Sequence, residues 1–216
     1  MDKKNTMLLT VIAVATLLVA VVGATFAYFS VSATSTSATA TVTTKAESVG
    51  SIALNSKNAP LYLNLSADQM SKANATKTYH ATTSAIGYAA TTAPGATAVA
   101  EIVATAVADA NVTYKCTFNY SVKTTGEEAA LAVLAADSTL TLSASEGVTL
   151  NETSFNLGTA SATGTGEVTI ADGATATISA AAQFTNTNAE QNGLAGASIV
   201  TTVTFDTFAC DTVANS

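Results

Sequence analysis

The chain has 216 residues, a formal net charge of −7 and only 11% charged residues, and all eight of its cations are lysines. That charge content is less than half the ~25% usual in soluble domains. A weakly acidic surface without arginine cannot neutralise a phosphate backbone, so nucleic acid is excluded as an expected partner.

At the N-terminus Lys3 and Lys4 precede a stretch from Met7 to Gly23 that is almost wholly apolar, and the small residues Gly23, Ala24, Thr25 and Ala27 follow it. A basic start, an apolar middle and a small-residue exit are the three parts of a secretory signal. Residues 1–27 are therefore read as a signal peptide, a hydrophobic helix cut between Ala27 and Tyr28 with Thr25 at the −3 position. The alternative is a retained membrane anchor, for which the apolar run is at the short limit of ~17–25 residues. Both readings put the bulk of the chain outside the cytoplasm.

Tyr28 to Thr44 reads YFSVSATSTSATATVTT, free of charge, Pro and Gly. It serves either as a flexible stalk or as an extended strand in need of a partner. Residues 28–50 are set apart on this basis, and residues 51–216 are assigned to one β-sandwich domain. Within that domain Ile52–Leu54 and Leu61–Leu65 are short strand candidates, and Ser66–Thr76 is a loop or short helix. The segment from Tyr79 is turn-rich and closes on Pro94-Gly95. Ala96–Ala108 has the alanines of a helix and the β-branched residues of a strand, and is assigned to strand.

From Val112 to Val122, Val112, Tyr114, Cys116, Phe118, Tyr120 and Val122 alternate with polar residues. Period two means one buried and one solvated face. Further strands are expected at Leu140–Ala144, Val168–Ile170, Ala174–Phe184 and Ala197–Phe208. Gly164-Thr165-Gly166 reads as a turn before the second of these, and Asp172-Gly173 as a two-residue hairpin turn between the second and third. Short strands separated by turn residues predict an all-β fold, a single antiparallel sandwich of jelly-roll type.

An even cysteine pair in an exported chain is by default a disulfide, and Cys116 and Cys210 are the two cysteines; two buried thiols are the other option. Closing so long a loop contributes ~4 kcal/mol in the chain-entropy model. Ile199, Val203 and Phe205 share one parity of the last strand and Cys210 has the other. A bond to Cys116 therefore requires a bulge or a strand end near Ala209.

The block GATFAYFS, Gly23 to Ser30, directly after the apolar run, resembles the export signals read by the SipW class of signal peptidase in Gram-positive bacteria. Gln191-Asn192-Gly193-Leu194-Ala195-Gly196, followed by a Thr/Val strand, is similar to the closing segment of the TasA/camelysin family of biofilm-fibre proteins, the cargo of that peptidase. The resemblance implies a jelly-roll-like sandwich, secretion to the cell surface or matrix, and a membrane association that ends at cleavage. It also implies a homopolymer, in which the freed N-terminal segment enters the sheet of the next subunit. Carried over here, the donor strand includes Phe29, Val31, Ala33 and Val42.

Some members of that family carry a metallopeptidase label. A zincin needs two histidines one helical turn apart, and this chain has one, His80, read as a surface loop residue. The pair Glu127-Glu128 reads as a solvated turn. No calcium loop, phosphate loop or dinucleotide fingerprint occurs, and no cofactor is expected. The sequence thus points to a structural fibre subunit and not to an enzyme. An adhesin-like binding module on an uncleaved helix and a camelysin-like peptidase are the alternatives.

Overall fold

The computed structural model describes residues 37–42, 50–88, 90–106, 112–187 and 191–214. The described strands, in chain order, are β1 (Ser37–Val42), β2 (Gly50–Ser56), β3 (Leu61–Tyr62), β4 (Thr78–His80), β5 (Thr97–Thr105), β6 (Val112–Thr125), β7 (Ser138–Ala144), β8 (Val148–Leu150), β9 (Ser154–Phe155), β10 (Ser161–Ala171), β11 (Thr175–Thr185) and β12 (Val200–Ala214). Among the described residues one α-helix, α1 (Glu128–Asp137), lies between β6 and β7.

The strands form two antiparallel sheets in a sandwich-like fold. The first has the order β3-β12-β6-β10-β8; the second has the order β1-β2-β5-β11-β7-β9, with β4 also pairing β11. Strand β6 is the spine of the first sheet because its alternation leaves Tyr114, Cys116, Phe118, Tyr120 and Val122 buried. Opposite it, the inner face of β11 is mostly alanine: Ala176, Ile178, Ala180, Ala182 and Phe184. One shared core results, in which β6 and β12 supply most of the aromatic rings and β11 most of the small residues. Phe118, Tyr120 and Phe205 form a ring cluster at centroid distances of 6.0–6.3 Å, and Phe155 of the second sheet meets Tyr120 edge-on at 6.2 Å.

The parity conflict at Cys210 is resolved by a bulge. Along β12, Thr201, Val203 and Phe205 are buried; beyond a register shift between Asp206 and Phe208, Phe208 and Cys210 are buried instead. The extra residue is Thr207, at φ 49°. Cys210 then stands directly opposite Cys116 and bonds to it, with 4.0 Å between the Cα atoms.

Several expectations are corrected. Asp172-Gly173 does not close a hairpin: β10 and β11 belong to different sheets, so this turn is an arch across the sandwich. The Asp172 amide donates to the Val112 carbonyl (3.0 Å) and the Ala104 amide to the Ala174 carbonyl (3.0 Å), which ties the arch to both sheets. Gly164-Thr165-Gly166 is not a turn but the interior of β10. Gly164 lies opposite Tyr120 and Gly166 opposite Phe118, and a Cβ at either would sit 2.3 or 2.2 Å from the ring it faces. The aromatic rings occupy the space that side chains would need.

His80 is on a strand rather than in a loop: it ends β4, lies opposite Gln183 and is half-buried. Glu127-Glu128 is not a turn but the start of α1, with Glu127 as its N-cap. The helix follows from its composition, EAALAVLAAD, rich in strong helix formers. Ala130 and Leu134, four residues apart and hence on one face, are fully buried. The strand expected over Leu61–Leu65 ends at Tyr62, and the last strand begins at Val200 and continues to Ala214. Ser66–Thr76 is turns with a 3-10 segment at Lys72–Asn74.

Candidate functional site

The signal-peptide residues, with Thr25, Ala27 and Tyr28 at the cleavage point, lie outside the described residues, as do Phe29, Val31 and Ala33 of the expected donor strand. Val42 is described. It ends β1 and is paired with Gly50, and every residue from Ser37 to Val42 has a partner on β2 of the same chain. The described part of the donor segment therefore lies in its own sheet.

It lies there as an edge. Among the described residues, strand β1 pairs with β2 alone, and residues 43–49 join the two. The first sheet has a comparable margin: β3 pairs with β12 only at Val200 and Thr201, so from Thr202 onward β12 is paired, among the described residues, on one side, with β6. Strand β1 runs close to β12 across the sandwich. Among the described residues, two strand margins with unpaired backbone groups thus sit near one another. Such margins are templates for a further strand.

A second feature is a concavity of about 410 Å³ on the outer face of the first sheet. The bulge and the strand registers build it. Asp206 pairs with Asn119, which pairs with Thr165; the next row is Thr204, Ser121 and Thr163. Asn151, after β8, forms the rim: its Oδ1 accepts the Thr165 amide at 2.6 Å. Tyr120 holds this rim from inside. Its ring passes over Gly164, and its hydroxyl donates to the Glu152 carbonyl and, at 3.3 Å, reaches Asn151 Oδ1. Burial and the nearby Glu152 carboxylate raise the Tyr120 phenol above its ordinary pKa, whereas the hydrogen bond to the Glu152 backbone acts in the opposite sense. Sequence reading passed over this cup, because Asn119, Ser121, Thr163, Thr165 and Asp206 are the solvated half of three alternating strands. Only the register brings them together.

Among the described residues no group of three or more His, Cys, Asp or Glu side chains could hold a metal ion. The His80 backbone is engaged on both sides, through β11 and through hydrogen bonds with Thr91 at 2.6 and 3.0 Å. The segment from Gln191 to Gly196 is an anchor for the last strand. Gln191 is buried and donates to the Asp137 carboxylate at 2.9 Å, Leu194 is fully buried, and the Gly196 amide donates to the Leu65 carbonyl at 2.8 Å. Compared with known proteins, the chain matches no family model, no curated protein and no solved structure.

Proposed function

We propose that this chain is the structural subunit of an extracellular fibre or matrix, secreted by a Gram-positive-type bacterium and assembled by exchange of its N-terminal strand. The observation that carries the reading is the position of β1: among the described residues it is an edge strand, bonded to one neighbour and joined to it by residues 43–49. A strand so placed can leave its own β2 and make the same hydrogen bonds with the β2 of another copy. Because the bonds made and broken are alike, concentration and the cost of the connecting segment decide between the closed monomer and the open chain of subunits. In this reading the sandwich is of jelly-roll type and residues 1–27 are a hydrophobic signal helix. A SipW-type peptidase cuts after Ala27 and frees the segment beginning at Tyr28, and the chain touches the membrane only before that cut.

The test is a reversible lock. Thr39 and Ala53 are directly opposed on β1 and β2. Thr39→Cys with Ala53→Cys, oxidised, should give mature protein that remains monomeric by light scattering and forms no fibres under the electron microscope. Reduction of that bond should restore assembly. Fibres formed equally well by the locked protein would overturn strand exchange. The pairing of β1 within its own chain also favours a second reading, an adhesin-like module whose N-terminal helix stays uncleaved. N-terminal sequencing of the exported protein separates the two: Tyr28 as first residue supports the fibre, and an intact Met1 start on cell-bound monomer supports the tethered module.

A further inference from the structure

We propose that the concavity on the outer face of the first sheet is a binding cup for a neutral, hydroxyl-rich ligand, the sugar units of a polysaccharide, with Asp206 and Asn119 as its principal recognition pair. Its volume of about 410 Å³ falls within the ~300–1,000 Å³ of ligand clefts, but those are mostly apolar, and here every outward-facing side chain of the lining is polar.

The distribution of hydrogen bonds shows which groups remain for a ligand. Ser121 and Thr204 satisfy one another at 2.7 Å. The Asn151 oxygen accepts from the Thr165 amide and the Tyr120 hydroxyl, and its amide N–H groups donate in none of the hydrogen bonds of the described residues. The Asp206 carboxylate and the Asn119 carboxamide are opposed on neighbouring strands, are exposed, and take no part in the hydrogen bonds of the described residues. An acceptor-only carboxylate beside a carboxamide that both donates and accepts is complementary to adjacent hydroxyls, each of which also does both.

Other ligand classes fit less well. The lining has a carboxylate and no lysine, so an anion is repelled. One carboxylate is too little charge for a divalent cation site. The one aromatic residue in the lining, Tyr120, has its ring buried in the core, so no flat apolar surface is offered. Without ring stacking each cup binds weakly, and affinity comes from repetition along a polymer. The cup is nevertheless rigid, because the Tyr120 hydroxyl fixes its rim and the Thr207 bulge fixes the backbone beside Asp206. The cup requires no strand exchange, so its test is independent of the fibre reading.

Affinity electrophoresis of the mature chain through gels containing a neutral glucan, galactan or mannan reads the interaction directly, with an anionic uronan gel and added calcium chloride as further arms. At least one neutral polysaccharide should retard the wild type. Asp206→Ala and Asn119→Ala should each reduce that retardation at least tenfold at unchanged thermal midpoint. Thr169→Ala, on the same face but outside the cup, should not alter it. Three results would each overturn the proposal: no retardation in any neutral gel, retardation that both cup variants retain, or stronger retention by the uronan than by every neutral polymer. Retardation that appears only with calcium would do the same.

Discussion

The bulge at Thr207 leads to an unusual expectation for deletions. Phe205 is opposite Tyr120, Asp206 opposite Asn119 and Phe208 opposite Phe118, so Thr207 is a surplus residue that the partner strand does not count. Removing it leaves Phe208 and Cys210 opposite the same partners and restores plain alternation. Deleting Thr207 should therefore preserve the disulfide. It should also be slightly stabilising, by about 1 kcal/mol, because a β-branched residue no longer occupies the left-handed region. Deleting Asp206 and Thr207 together removes one residue too many. Cys210 then falls opposite Thr117 and faces solvent, and Phe208 turns outward with it. Exposing Phe208 costs about 1.5–3 kcal/mol, and losing a cross-link that spans 94 residues of sequence costs ~4–5 kcal/mol in the chain-entropy model. The sum is comparable to the ~5–15 kcal/mol that holds a typical domain together. Thiol titration under denaturing conditions and urea midpoints read both variants. Free thiols in the single deletion, or an intact bond with a wild-type midpoint in the double deletion, would refute the account.

Thr207→Gly keeps the bulge and removes only its conformational cost, so a gain of about 1 kcal/mol is expected in urea unfolding. Gly164→Ala and Gly166→Ala push a methyl group into the Tyr120 and Phe118 rings and should each lose about 1–3 kcal/mol. Tyr120→Leu should recover part of the first loss but none of the second, which a double-mutant cycle measures. The phenols of Tyr79, Tyr114 and Tyr120 are all raised above their ordinary pKa, chiefly by burial. Their neutral forms are thus favoured in the folded state, and the associated stability is complete below the unfolded value of about 10 and lost as pH rises through the folded values. Urea midpoints from about pH 9 to about pH 12 should fall above about pH 10. Replacing the three tyrosines by phenylalanine should flatten that fall, and an unchanged curve would assign it elsewhere.

What could be read from the sequence was whatever a strand expresses in its own residues. The alternation of β6 is explicit between Val112 and Val122, and the odd parity of Cys210 called for a bulge or a strand end near Ala209, of which the structure has the bulge, at Thr207. Features that depend on a second strand were hidden. Asp172-Gly173 has the composition of a tight turn, but composition does not say whether the next strand joins the same sheet or the opposite one. Gly164 and Gly166 resemble turn residues until Tyr120 and Phe118 are seen above them. Helix α1 escaped because alanine carries no polar–apolar rhythm, and only Ala130 and Leu134 mark its inner side. The cup was least legible of all, since five polar residues on three strands meet only through pairing.

The location of the disulfide also governs how the domain bears force. A pull on the C-terminal end of β12 can unzip residues 211–214, but at Cys210 the tension passes through sulfur into Cys116 on β6. Strand β6 is clamped between β12 and β10, so the load enters the middle of the sheet, and the pairing from Val200 to Ala209 is shielded from peeling. A domain wired in this way yields a few residues of slack and then resists as a whole.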